Sequence, residues 1–188
     1  LIAIAALDMK KRGKLKNDTA VVTVMTNMGF WKFAEQNGIN VKKTAVGDRY
    51  VLEEMLKNDY VIGGEQSGHI IFLDYATTGD GTLASVQFIN AVKHSGRKVS
   101  ELADEITLYP QVLVNAGVRN ENKSIYMEDK QISDAIRSLE DKMAGEGRVL
   151  IRPSGTEPLV RVMLEGTDRE QIAQDAKELA QLIESKFA

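Results

Sequence analysis

The chain has 188 residues, of which 43% are hydrophobic and 27% are charged, and its formal net charge is −3. This composition is ordinary for a globular protein and gives no reason to expect binding to nucleic acid or to a membrane. Cysteine is absent, which excludes a disulfide framework, a thiolate nucleophile and a thiolate metal site, and which fits a cytoplasmic location.

The N-terminal segment is the longest apolar run of the sequence. Residues 1–7 (LIAIAAL) are too few to span a bilayer. The segment lacks the basic stretch and the cleavage site of a signal peptide. Residues 1–16 are therefore predicted to form a helix, buried at first and basic at its end. The apolar start without an initiator Met predicts that the chain is a fragment of a longer protein.

Strands and helices then alternate in the first part of the chain. Residues 19–26 and 39–46 are predicted strands. One helix is predicted over residues 30–37, where Gly38 ends it, and a second helix is predicted to follow Gly47-Asp48-Arg49 and to run through Leu56. Trp31 is expected in the core, with ligand stacking as the alternative. This alternation predicts an α/β domain with a layered, mixed sheet.

A glycine-rich stretch, GGEQSGH at 63–69, lies between the apolar runs 60–62 and 70–73. This pattern predicts a strand, a loop and a strand, in which the three glycines permit a tight turn and close approach of a ligand. A carboxylate beside a hydroxyl, as in Glu65 and Ser67, suits a polyol, and His69 can move protons near neutral pH. The alternative is a hairpin turn with a polar tip.

The short stretch Gly47-Asp48-Arg49 is a second candidate, because it follows a predicted strand and precedes a helix. Loops at this position are common ligand sites in α/β sheets. Arg49 can pair with a phosphate or sugar oxygen. The alternative is a salt bridge between Asp48 and Arg49 within the loop.

The remaining elements predict a domain boundary and a smaller second domain. Asp80 or Thr82 is expected to cap a helix over 83–94, and a short helix is expected over 98–106. The two domains are predicted to be residues 1–108 and 109–188.

The second domain is predicted to have the element order β-α-β-β-α, which is an α+β domain. Its strands are predicted over 112–118, 148–151 and 159–165, and a capping box is predicted at Thr167–Glu170. Its helices carry apolar stripes at Ile132, Ile136, Leu139 and Met143, and at Ile172, Ala176, Leu179 and Ile183.

The stretch RPSGT at 152–156 joins two of these strands. Arg152 offers a planar donor fork that matches phosphate, Ser154 and Thr156 offer hydroxyls, and Gly155 can expose backbone N–H groups to an anion. The stretch lacks the Gly-Lys-Ser/Thr ending of a nucleotide P-loop. The alternative is a plain hairpin turn. For Arg161, on the next strand, a cross-strand ion pair is expected rather than a role in the site.

The two motifs GEQSGH and RPSGTEP resemble the sugar-binding and phosphate-binding loops of the α-D-phosphohexomutase family, in the family's order and at about its spacing. The resemblance covers essentially the whole chain. Gln66 and the stretch VGDRYV at 46–51 favour the branch that acts on glucosamine phosphates over the phosphoglucomutase/phosphomannomutase branch. The resemblance implies the third domain and the C-terminal, TATA-binding-protein-like domain of a four-domain enzyme.

Members of this family move a phosphoryl group between the 6 and 1 positions of a hexose through a bisphosphate, here glucosamine 1,6-bisphosphate, using a phosphoserine and Mg²⁺ held by earlier domains. No metal ligands are expected in this chain, and the missing N-terminal domains are its expected partner. By resemblance, Glu65 and Ser67 contact sugar hydroxyls, and His69 transfers a proton or positions the sugar. The same resemblance implies that Gly47, Asp48 and Arg49 contact the substrate. The clamp on the non-reacting phosphate is Arg152, Ser154, Gly155 and Thr156.

Two other functions are compatible with the residues alone. One is a free-standing sugar-phosphate binding module that does no chemistry, and the other is a structural or interaction domain. The fragment by itself is expected to have no mutase activity, because the phosphoryl carrier is missing.

Overall fold

The computed structural model describes all residues from 1 to 188 and contains two compact units, Leu1–Leu108 and Tyr109–Ala188. None of its helices is both long and apolar enough to cross a bilayer. The elements of the first unit are α1 (Ile2–Lys11), β1 (Thr19–Thr23), α2 (Met28–Gln36), β2 (Asn40–Thr44), α3 (Asp48–Asn58), β3 (Ile62–Gly64), β4 (Ile70–Phe72), α4 (Gly81–Ser95) and α5 (Val99–Ala103).

The four strands of the first unit form one mixed sheet in the order β2-β1-β3-β4. β1 is parallel to both β2 and β3, and β4 is antiparallel to β3. All five residues of β1 are buried, as expected for a central parallel strand covered on both faces. The prediction of an α/β domain with a mixed sheet is confirmed.

Helices cover both faces of this sheet. Val22 and Ile62 pack with α1 and α2 on one face. On the other face, Val51 and Met55 of α3 are fully buried against Val21. Their spacing of four residues places both side chains on one side of α3. Packing on both faces holds the sheet in place. The candidate residues 47–49 and 65–69 follow the ends of its strands β2 and β3.

Several element boundaries differ from the predicted ones for local reasons. α1 ends at Lys11 and not at residue 16, and Gly13 takes a φ of +66° just beyond it. α2 begins at Met28, because the side chain of Asn27 accepts the N–H of Gly29 at 3.0 Å. Asp80 caps α4 through the N–H of Leu83 at 2.9 Å, so one of the two predicted caps is confirmed.

The second unit is a three-stranded antiparallel sheet with two helices on one face, as predicted. The strand order is β5-β7-β6. Val160, Val162 and Leu164 of β7 alternate toward the helices and are fully buried with Ile132 and Ile172. The elements are β5 (Gln111–Gly117), α6 (Lys130–Met143), β6 (Gly147–Pro153), β7 (Leu159–Gly166) and α7 (Arg169–Phe187).

The N-cap of α7 differs from the predicted one. Asp168 accepts the N–H groups of Glu170 and Gln171, each at 3.0 Å. The predicted capping box headed by Thr167 is therefore wrong by one residue. A carboxylate at this position also complements the positive end of the helix dipole.

Candidate functional site

The loop of residues 65–69 connects β3 and β4 as a tight hairpin. The N–H of Glu65 donates to the carbonyl of His69 at 2.9 Å, and Gly68 has a φ of +101°. Gly63 and Gly64 lie in β3, where an added Cβ would come within 2.6 Å of the Met55 sulfur and 2.3 Å of the His69 carbonyl oxygen, respectively. The expectation that all three glycines serve the loop is wrong for these two, which are needed for packing.

The carboxylate of Glu65 is held by a neighbouring segment. Its Oε1 accepts the backbone N–H of Gly47 at 2.9 Å. Gly47 has a φ of +130°, which side-chain-bearing residues rarely adopt. The two segments meet because β2 and β3 run parallel on either side of β1, so their carboxyl ends lie at the same edge of the sheet.

The imidazole of His69 is held by Gly79, a residue that no motif in the sequence indicated. Its Nε2 accepts the N–H of Gly79 at 3.2 Å, and the ring lies against Gly79, where a Cβ would come within 2.5 Å of the ring. With Nε2 as the acceptor, the proton of the neutral ring is on Nδ1. Asp48 Oδ2 lies 3.6 Å from Nε2.

Asp48 and Arg49 belong to the first turn of α3 and not to the loop before it. Arg49 Nε contacts Glu53 Oε1 at 2.7 Å, one helical turn further on. Asp48 Oδ1 accepts the backbone N–H of Arg49. The alternative of an Asp48–Arg49 salt bridge is wrong, and Arg49 is exposed with its Nε group already engaged.

The second candidate loop, residues 154–158, connects β6 and β7. Arg152 pairs in register with Arg161 across these strands, on the face opposite to the helices. The Arg152 Nε atom is buried and has no hydrogen-bond partner. Burial, and secondarily the charge of Arg161, lowers the pKa of Arg152, although a guanidinium stays protonated in proteins.

The expected cross-strand ion pair of Arg161 is wrong, because its cross-strand neighbour is another cation. Arg161 Nη2 instead contacts Glu157 Oε2 at 3.2 Å within the loop region. Two adjacent guanidinium groups repel one another unless an anion lies near them. The register of the strands, which the sequence does not show, is what brings Arg161 to the candidate site.

Ser154 has a different environment from Gly155 and Thr156. Ser154 is 5% exposed, and its Oγ accepts the N–H of Glu157 at 3.2 Å. The exposed Gly155 and Thr156 donate no hydrogen bond within the chain. The loop therefore presents free N–H groups and a free hydroxyl next to the arginine pair, while Ser154 shapes the turn.

Nothing in this chain matches the donor set of a metal site. No group of three or more His, Cys, Asp or Glu side chains could hold a metal ion. Hard cations such as Mg²⁺ require several oxygen ligands at one place. The residues present do not fit a magnesium ion.

Two family models match the chain. The model described as phosphoglucomutase/phosphomannomutase, alpha/beta/alpha domain III, matches residues 1–109, and the model of the C-terminal domain of the same family matches residues 113–182. The first model alone covers more than half of the chain. The chain therefore belongs to the phosphoglucomutase/phosphomannomutase family, the phosphohexomutases.

Within this family, relatives similar to this chain include phosphoglucosamine mutases. That of Thermoanaerobacter sp. (strain X514) is 60% identical over 187 residues. The phosphoglucosamine mutase of Caldicellulosiruptor saccharolyticus is 56% identical over 188 residues. In both comparisons the whole chain is covered, and it spans 42% of the length of the relative.

Solved structures of the same superfamily share the fold. The Aspergillus fumigatus N-acetylphosphoglucosamine mutase in complex with GlcNAc-6P and magnesium aligns with all of this chain and 44% of its own, with a TM-score of 0.77 and 20% identity. An N-acetylglucosamine-phosphate mutase in its substrate complex aligns with 97% of this chain and 42% of its own, with a TM-score of 0.75 and 23% identity. At these identities the likeness concerns the fold alone.

Proposed function

We propose that this chain is the sugar- and phosphate-binding part of a phosphoglucosamine mutase. The whole protein would interconvert glucosamine 6-phosphate and glucosamine 1-phosphate and so supply UDP-N-acetylglucosamine synthesis. The relatives at 54–60% identity that carry this name support the proposal. We place the reaction in the cytoplasm, in keeping with the cysteine-free sequence.

The observation that carries the proposal is the arginine pair beside free backbone donors. Arg152 has a buried Nε without a partner, Arg161 is its cross-strand neighbour, and the N–H groups of Gly155 and Thr156 are free. Guanidinium forks and free N–H groups together match the oxygens of a phosphate dianion. We assign this loop to the phosphate that does not react.

The hairpin loop of the first unit is assigned to the sugar. The bond from Gly47 orients Glu65, whose remaining lone pairs can accept from sugar hydroxyl groups. Ser67 is exposed at the tip of the hairpin and supplies a hydroxyl. Asp48 and Arg49 lie at the same edge of the sheet, and Arg49 has to turn away from Glu53 to offer its Nε group to the substrate.

His69 is assigned to donate from Nδ1 to the substrate. Its Nε2 is engaged with Gly79, so Nδ1–H is the group that remains to donate a hydrogen bond to the substrate. Positioning of the substrate supplies much of the catalysis in phosphoryl transfer. The hairpin thus contributes orientation and one hydrogen-bond donor.

The remaining chemistry is assigned to the parts of the relatives' length that lie outside this chain. We propose that a phosphoserine there donates and recovers the phosphoryl group through glucosamine 1,6-bisphosphate. Magnesium, when bound there, would offset the charge of the transferred group. The N-terminal domains of the same protein are accordingly the proposed partner of this chain.

A titration of glucosamine 6-phosphate into the chain tests the phosphate assignment. Binding that is lost in Arg152→Ala and kept in Arg137→Ala, an exposed arginine of α6, is expected. Equal binding by the two variants would contradict it. Relative turnover of the full-length protein on glucosamine, glucose and mannose phosphates tests the substrate. Measurable turnover by this chain alone would show that the phosphoryl carrier lies within it.

A further inference from the structure

Lys123, which lies 31 residues before Ser154 in the sequence, donates hydrogen bonds to carbonyl groups of the proposed phosphate-binding loop. Lys123 Nζ donates to the carbonyl of Ser154 at 2.9 Å and also to the carbonyl of Glu157. These two carbonyls flank the residues Gly155 and Thr156. The ammonium group therefore bridges the two ends of the turn that carries the free N–H donors.

Lys123 is itself held in place by the fold. It follows the short 3₁₀ turn Asn120–Asn122. This segment is tied to the end of α7, because Arg119 N–H and Asn122 Nδ2 both donate to the carbonyl of Phe187, at 3.0 and 3.3 Å. Shortly after it, Tyr126 is buried in the core of the unit.

The position of the ammonium group favours anion binding in two ways. Carbonyl oxygens repel a phosphate, and a hydrogen bond from an ammonium group offsets their partial negative charge. Fixing the carbonyl of Ser154 also fixes the peptide plane that it shares with the N–H of Gly155, and so the direction of that donor. The carbonyl of Glu157 belongs to the peptide bond to Pro158, which carries no N–H, so its contact anchors the other end of the turn. A preorganised set of donors binds an anion more tightly than a mobile set.

We propose that Lys123 is a positioning residue of the phosphate-binding loop, one that orients the Gly155 N–H and anchors both ends of the turn without touching the ligand. This inference rests on the function proposed above for residues 152–156. Lys123 acts through the carbonyl groups of Ser154 and Glu157, and its charge adds to that of Arg152 and Arg161.

The test uses the 188-residue chain, with inorganic phosphate and glucosamine 6-phosphate as probes. Binding is followed by NMR through the backbone amides of Gly155 and Thr156. Lys123→Met removes the ammonium group, Lys123→Arg keeps a charged donor, and Lys177→Met is the control, because Lys177 is an exposed lysine of α7 in the same unit.

Lys123→Met is expected to weaken phosphate binding about tenfold, the size typical of lost hydrogen bonds to a charged group. Lys123→Arg is expected to keep most of the wild-type affinity for phosphate, because it retains a charged donor. If only the packing of the aliphatic stem mattered, the charge at this position would make no difference to the affinity. Wild-type affinity in Lys123→Met, or equal losses in Lys123→Met and Lys177→Met, would overturn the inference.

Amide hydrogen exchange separates this inference from the proposed function. If the unsubstituted chain shows no phosphate-dependent shift, the phosphate assignment of the loop fails. The positioning inference is then tested by the exchange rates of the N–H groups of Glu157 and Leu159, which are hydrogen-bonded in the loop region. Faster exchange in Lys123→Met than in Lys177→Met supports it, and equal exchange overturns it.

Discussion

The two candidate loops differ in how their polar groups are used within the chain. In the hairpin of the first unit, Glu65 and His69 already accept hydrogen bonds from Gly47 and Gly79. In the loop of the second unit, Arg152 has a buried Nε without a partner, and Gly155 and Thr156 donate to nothing. In the first loop these polar groups are already paired within the chain, and in the second loop the donors are free.

This difference corresponds to the ligand group assigned to each loop. Sugar hydroxyl groups are neutral and directional, so their partners benefit from being fixed in advance. A phosphate dianion supplies acceptors for many donors at once, so donors that are unpaired in the free protein gain most when it binds. Under the proposed function, the free donors beside two cations would bind the charged group of the ligand.

The largest expected effect is that of Arg152→Ala on phosphate binding. Losing a bidentate partner of a dianion weakens affinity by about 100-fold, or about 2.7 kcal/mol. The same change relieves repulsion between Arg152 and Arg161, so the melting temperature is expected to stay equal or to rise. Calorimetric titration and thermal unfolding measure the two effects. A lower melting temperature with unchanged affinity would make Arg152 a structural residue.

Gly79→Ala tests whether the hairpin is preformed. The new Cβ would lie 2.5 Å from the His69 ring, so the ring must move and its bond from the Gly79 N–H must break. Turnover of the full-length protein is expected to fall about tenfold, because small displacements of positioning groups are costly. Gly81→Ala is the matched control, since nothing lies within 4 Å of the corresponding Cβ.

The ¹⁵N shift of His69 Nε2 reports the same change without any turnover. It should change in Gly79→Ala and stay constant in Gly81→Ala. Similar shifts and similar turnover in both variants would show that the Gly79 bond does not orient the ring.

The sequence was sufficient for the features that depend on local pattern. The mixed α/β sheet, the β-α-β-β-α order and the stripe that includes Ile132 follow from hydrophobic periodicity, which reports burial directly. The Asp80 cap was predictable because short polar side chains before an apolar stretch mark helix starts. In these cases the residues that decide the structure are close together in the sequence.

Features that depend on strand register or on distant segments were not predictable. The sequence favoured a cross-strand ion pair for Arg161, whereas the register places it beside Arg152. The bond from Gly47 to Glu65 spans 18 residues, and Lys123 reaches Ser154 across 31 residues. No local pattern encodes such contacts, because the packing of the whole unit brings them about. The ligand roles of all these residues stay predictions.

Glu157→Gln is expected to have a smaller effect of the opposite sign. Glu157 contacts Arg161 at 3.2 Å and places a negative charge beside the proposed phosphate. Removing this charge should tighten phosphate binding about threefold, since exposed charges interact weakly through water. Glu178→Gln, an exposed position of α7, is the control. Unchanged affinity in Glu157→Gln would indicate that phosphate does not bind near Arg161.

The smallest expected effect concerns stability and lies outside both loops. The ammonium group of Lys186, together with backbone N–H groups at the start of α6, lowers the pKa of Asp129. Because the folded-state pKa is lowered, the ionised side chain stabilises the fold above the ordinary aspartate pKa of about 3.9. This contribution is lost as the pH falls through the lowered value.

Asp129→Asn keeps a capping oxygen but removes the ion pair with Lys186. At neutral pH it is expected to lower the melting temperature by about 2 °C at most, because exposed ion pairs contribute little. The difference should disappear well below pH 4, where the wild-type carboxylate is protonated. A difference that persists there would mean that the cap, and not the ion pair, is what Asp129 contributes. Phosphate affinity should be the same in both proteins, because the proposed binding depends on the free donors and the cations of the loop and not on the stability of α6.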